Sequence, residues 1–149
     1  MRNILATLFI ILAIYSCNSN TQSSEDALLR KNVEKSICTD IRELSHKAVD
    51  GISMGVGSMV TNNLVSESQQ DSMIMKPFLP ILKEELKLKN KNELIELSNK
   101  KSKRFALIGN LMLKNKELII SKVNDTYTFA APLVEKAIEE AQTIAKEQN

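Results

Sequence analysis

The chain has 149 residues, 43% of them hydrophobic and 26% charged, which is enough for one compact core and too few for two. With four glycines, three prolines, two tyrosines and no tryptophan, the composition disfavours a sandwich or barrel and leans to an all-α fold, a small antiparallel bundle of about four helices. A net charge of +2 from 20 basic and 18 acidic residues singles out no partner, but its distribution is uneven. Residues 83–116 carry ten basic and four acidic side chains, while the remainder to the C-terminus carries three and six.

Met1, Arg2 and Asn3 make a short positive start, and residues 4–15 form an uncharged, mostly apolar run that includes Thr7. A spanning helix needs about twenty apolar residues, so a run of this length predicts an export signal that is removed rather than a stable membrane anchor. The run closes on Ile14, Tyr15, Ser16 and Cys17. This ending resembles the lipobox of bacterial lipoproteins, in which an aliphatic and a small residue precede an invariant cysteine. Ile14 and Ser16 fit that pattern, and Tyr15 is bulkier than usual.

The resemblance implies that Cys17 is the lipidation site, taking a diacylglyceryl group on its thiol, with cleavage between Ser16 and Cys17. Each buried methylene then adds about 0.8 kcal/mol, and several chains make the anchoring durable. The competing reading is an ordinary secretory leader with a chance cysteine. Residues 18–24, Asn18 to Ser24, have no apolar side chain and suit a flexible tether. The expected organisation is a signal peptide at 1–16, a lipidated cysteine and tether at 17–24, and a helical domain at 25–149. By the sorting rules of enteric-type lipoproteins, Asn18 rather than Asp after the cysteine implies the outer membrane. The Lys-, Asn- and Ile-rich composition is similar to that of spirochaetal surface lipoproteins.

From Glu25 onward Leu29, Val33, Ile37, Ile41, Leu44, Ala48, Ile52, Val56 and Met59 recur every three or four residues, the spacing of one helical face. Gly51, Gly55 and Gly57 each weaken a helix by about 1 kcal/mol relative to Ala, so this stretch predicts a close-packing seam with bending. Ser66 to Ser72 is polar and reads as a loop. Pro77 and Pro80 then predict a short helix that starts at one of them and runs to Lys89. Asn92 is placed to cap a helix with Leu94, Leu97, Phe105, Ile108 and Met112 on one face. For residues 116–131 a hairpin across Asn124 and Asp125 competes with a helix through Ile119, Val123 and Tyr127, and helical spacing favours the latter. Pro132 opens a last helix with Leu133, Val134, Ala137, Ile138, Ala141, Ile144 and Ala145 on its apolar stripe.

Candidate chemistry is sparse. Glu43, His46 and Asp50 share one helical face, yet a carboxylate-bridged metal site in a bundle needs a second Glu-x-x-His, which a single chain lacks. A solvated face is therefore expected, with no metal or cofactor, and a metal-binding homodimer stands as the alternative. Neither a Gly-rich phosphate loop nor a nucleophile elbow appears, and no enzyme activity is expected. Ser45 and His46 are adjacent on a helix and point apart, so they form no dyad. Cys38 would be the sole thiol left after lipidation, either a buried inert residue or the link of a disulfide homodimer. Lys100, Lys101, Lys103 and Arg104 form the strongest basic cluster, a weak candidate contact for anionic groups. Nucleic acid is not expected, because no aromatics interleave the cations. The sequence thus leads to a membrane-tethered, non-enzymatic domain that contacts a protein or anionic polymer at the envelope. A structural or exclusion lipoprotein in the periplasm is the further alternative.

Overall fold

The computed structural model describes the backbone of residues 2–56, 67–124 and 130–147, and the side chains of residues 24–52, 73–122 and 131–147. The secondary structure of the described residues is all helical: α1 (Arg2–Val56), α2 (Glu67–Leu88), α3 (Lys91–Asn99), α4 (Lys101–Lys114), α5 (Lys116–Asn124) and α6 (Ala130–Glu147), with no strand among them. Among them no helix is long and apolar enough to cross a membrane. The leader and the polar segment after Cys17 fall within the bounds of α1.

The stripe on α1 is buried as its spacing requires. Val33, Ile37, Ile41, Leu44 and Ala48 are fully inside, and Leu29 and Ile52 pack against the same core. Val56, Met59, Gly55 and Gly57 lie outside the described side chains. At Gly51, where a close-packing seam was expected, a Cβ would stand 2.7 Å from Lys136 Cε on α6, the movable end of a partly exposed side chain.

The second helix departs from expectation. It begins at Glu67 instead of at a proline, so it takes in the polar stretch expected as a loop and carries Pro77 and Pro80 inside it. Each proline deletes one intrahelical hydrogen bond. Against that cost, Ile74, Phe78, Leu82 and Leu86 recur every fourth residue and are almost wholly buried. Burial of such a row contributes about 1.5–3 kcal/mol per side chain, against about 3 kcal/mol for each interior proline. Pro80 itself is exposed and Pro77 half-buried, off the packed stripe. Arg30 Nε donates to the Leu86 carbonyl at 2.9 Å, Lys83 Nζ lies 3.6 Å from Glu34, and Lys91 Nζ lies 3.5 Å from Glu25. Numbers rising on one side as they fall on the other show that α2 runs antiparallel to α1.

The cap of α3 is Asn90, not Asn92. Asn90 is extended, its Oδ1 accepts from the Glu93 N–H at 3.0 Å, and Glu93 Oε2 accepts from the Asn90 N–H at 2.9 Å. A reciprocal box needs a glutamate three residues on, which Asn90 has and Asn92 does not. The helix expected to continue through Met112 is divided at Lys100, whose backbone is extended at φ −116 and ψ 110. Ser98 and Asn99 before the break are poor interior helix formers. The second break falls at Asn115, whose side-chain amide and backbone N–H both donate to the Leu111 carbonyl. The break at Lys100 adds a sixth helix to the four main helices and one short helix expected, and the break at Asn115 falls where a separate helix was expected to begin.

For residues 116–124 the helix holds, with Ile119 fully buried. Residues 125–129, the turn and second strand of the alternative hairpin, lie outside the described residues. The last helix starts two residues before Pro132, and its whole expected stripe is buried. Phe78, Phe105, Ile37, Ile41 and Met112 are among the largest fully buried side chains of a single core.

Candidate functional site

The basic cluster sits where α3 turns into α4, and the turn decides what each cation does. Lys100 occupies the break itself; its N–H donates to the Glu96 carbonyl at 2.9 Å and its side chain is exposed. One residue later α4 begins, and the first helical turn carries Lys101 and Arg104 toward α1 while Lys103 points to solvent.

Arg104 is the most deeply placed of the four. Its Nε donates to Asp40 Oδ2 at 2.5 Å, and the two side chains are only 12% and 7% exposed. Nη1 donates to the Leu97 and Ser98 carbonyls at 3.0 and 3.2 Å. These are among the carbonyls that the end of α3 leaves without helical partners. One guanidinium thus holds a carboxylate of α1 and closes the end of α3, a division of donors that its planar fork permits.

Lys101 Nζ donates to Glu43 Oε2 at 2.8 Å, Lys47 Nζ lies 3.2 Å from Glu43 Oε1, and the Lys101 ammonium sits 5.3 Å from the centroid of the Phe105 ring. The hydrogen bond from Lys101 is the main reason the Glu43 carboxyl is held below its ordinary range. Lys47 adds to that lowering, and partial burial opposes it.

The cluster is therefore split. Arg104 is committed to a buried pair and Lys101 to a partly exposed one, while Lys100 and Lys103 face outward with no ion pair among the described residues. The trio Glu43, His46 and Asp50 is split in the same way. Glu43 is taken by two lysines, whereas His46 and Asp50 are exposed. No group of three His, Cys, Asp or Glu side chains arranged to hold a metal ion occurs among the described residues. Ser45 is buried and His46 exposed, so the two do point apart.

Cys38 is half-buried. Desolvation is the main cause that pushes its thiol up, with Glu34 adding to it and Arg42 and Lys83 opposing. A thiol so held is a weak nucleophile at neutral pH. Cys17, the expected lipidation site, lies outside the described side chains.

The Asp40 and Arg104 pair was not anticipated from the sequence, although a signal existed. Asp40 falls three residues after Ile37 and four before Leu44, on the buried stripe itself. An acid on that stripe requires a partner from another element.

No family model, curated protein or solved structure matches the chain.

Proposed function

We propose that this protein is a bacterial lipoprotein, anchored through lipid on Cys17 at the outer membrane, whose helical domain is non-enzymatic and binds another macromolecule at the cell envelope. The observation that carries the reading is Ile14, Tyr15, Ser16 and Cys17 at the end of a short uncharged run behind Arg2. Cations that remain outward after the internal ion pairs are formed, Lys100 and Lys103 among them, supply a contact surface for an anionic partner. The architecture is read as an antiparallel bundle in which α1, α2, α4 and α6 are the four main helices, and α3 and α5 are short insertions.

Metabolic labelling with palmitate tests the anchor. Label should enter the wild-type chain and be absent from Cys17→Ala, and a labelled Cys17→Ala chain would refute it. Capture of a partner from envelope extracts by the acylated protein tests the binding role, and repeated failure to capture any macromolecule would remove it.

A further inference from the structure

The segment expected as a flexible tether continues α1, which runs as one helix from Arg2 to Val56. A continuous helix fixes the direction in which its anchor lies. At about 100° per residue, Lys35 stands about five whole turns from Cys17 on the same line, with Leu28 about 20° and Lys31 about 40° from that line. The buried stripe from Val33 to Ala48 occupies the opposite side of the helix. The expected lipid site and the outward face of the domain are therefore in register.

That face pairs an apolar side chain with cations. Leu28 is 61% exposed, and Lys31 and Lys35 are exposed with no ion pair among the described residues. The acids of the same stretch turn elsewhere: Glu25 and Asp26 meet Lys91, and Glu34 meets Lys83. A helix that sets cations beside an exposed apolar residue lies in the plane of a lipid surface, and an anionic surface attracts each lysine close to it.

Leu88, at 80% the most exposed of the large hydrophobics of the described residues, is the competing contact. It stands at the same level of α1 as Leu28, because Arg30 donates to the Leu86 carbonyl and Lys91 reaches Glu25. It belongs, however, to the helix packed on the core side of α1, and the cations around it are spent. Lys87 is paired with Glu84, Lys89 with Glu85 and Glu93, and Lys91 with Glu25. An anionic surface therefore gains less there than at Lys31 and Lys35.

We propose that the outer face of α1, from Cys17 through Leu28 to Lys35, lies against an anionic lipid surface and holds the bundle side-on beside its anchor. This rests on the lipoprotein reading above and adds an orientation to it: the lipid on Cys17 sets the position, and Leu28 with the two lysines sets the rotation.

The full acylated chain in vesicles of phosphatidylglycerol and phosphatidylcholine tests it. With Cys38→Ser removing the free thiol, an environment-sensitive dye is placed at Leu28→Cys or at Leu88→Cys, and a quencher is carried by the lipid. Side-on contact should quench the dye at position 28 and spare it at 88. In the first variant Lys31→Gln with Lys35→Gln should lower the ratio of quenched to unquenched label about thirtyfold, the effect of two lysines near an anionic surface. Equal quenching at both positions, which an end-on bundle or a loose tether gives, overturns the proposal. So does quenching at 28 that the lysine changes leave untouched. If labelled palmitate does not enter Cys17, the anchor fails and the orientation with it. If the acylated chain floats with the vesicles while position 28 stays unquenched, the orientation alone fails.

Discussion

Arg104 shows how one side chain can serve packing and chain direction together. Its pair with Asp40 is nearly dry, and a buried pair broken on one side leaves an uncompensated charge, at a cost of about 3–5 kcal/mol. Arg104→Met should therefore lower the free energy of unfolding by about that amount in a urea titration. Adding Asp40→Leu should recover most of the loss, since two apolar groups of similar size remove the stranded charge. It should not recover all of it, because the Leu97 and Ser98 carbonyls still lack the donor they share with Arg104. Glu43 gives a pH-dependent counterpart. A carboxyl lowered in the folded state stabilises fully above its unfolded value near 4.3, and that contribution is lost as the pH falls through the folded one. Glu43→Gln should accordingly melt below the wild type near neutral pH, with the gap closing below about pH 4. A gap that stayed constant into acid would show that the Lys101 and Lys47 contacts do not depend on the charge.

At the scale of elements, the stripes are legible in the sequence and the ends are not. Spacing of three and four residues identifies most of the buried faces of α1, α4 and α6, because a helix that buries one face must repeat with its own period, and misses Asp40, Ser45 and Leu111. Its ends follow weaker forces. Asn90 wins over Asn92 through one glutamate at the right offset, and Lys100 interrupts a stripe whose phase runs on undisturbed from Leu97 to Phe105. No periodic signal marks such a break. Gly109 tests the packing between elements. A Cβ at this buried position would meet Ala141 Cβ at 3.4 Å and Gln142 Cγ at 3.5 Å, ordinary contact. Gly109→Ala should stabilise the protein by about 0.5–1 kcal/mol through helix propensity. Gly109→Leu should destabilise it by about 1–3 kcal/mol, since the added branch has nowhere to go between α4 and α6. Thermal denaturation of both variants separates the two effects.

Across the whole molecule, all the described helices contribute to one core, so damage in α2 should be felt by the rest. Phe78 is fully buried four residues from Ile74 and Leu82. Phe78→Ala should cost about 3–5 kcal/mol and shift the midpoint of one cooperative transition, followed by circular dichroism, instead of splitting it. The sequence alone carried the all-helical class and the apolar stripes, because periodicity is a local pattern that needs no partner to be recognised. Tertiary structure decided which cations are spent and which are left over. Lys101 and Arg104 look equivalent to Lys100 and Lys103 in the chain. Only the placement of Glu43 and Asp40 on a neighbouring helix draws the first two inward, and an ion pair across 58 or 64 residues leaves no trace in local spacing. The same placement takes Asp40 out of solvent, whereas Glu34 and Glu43 stay partly exposed beside their lysines.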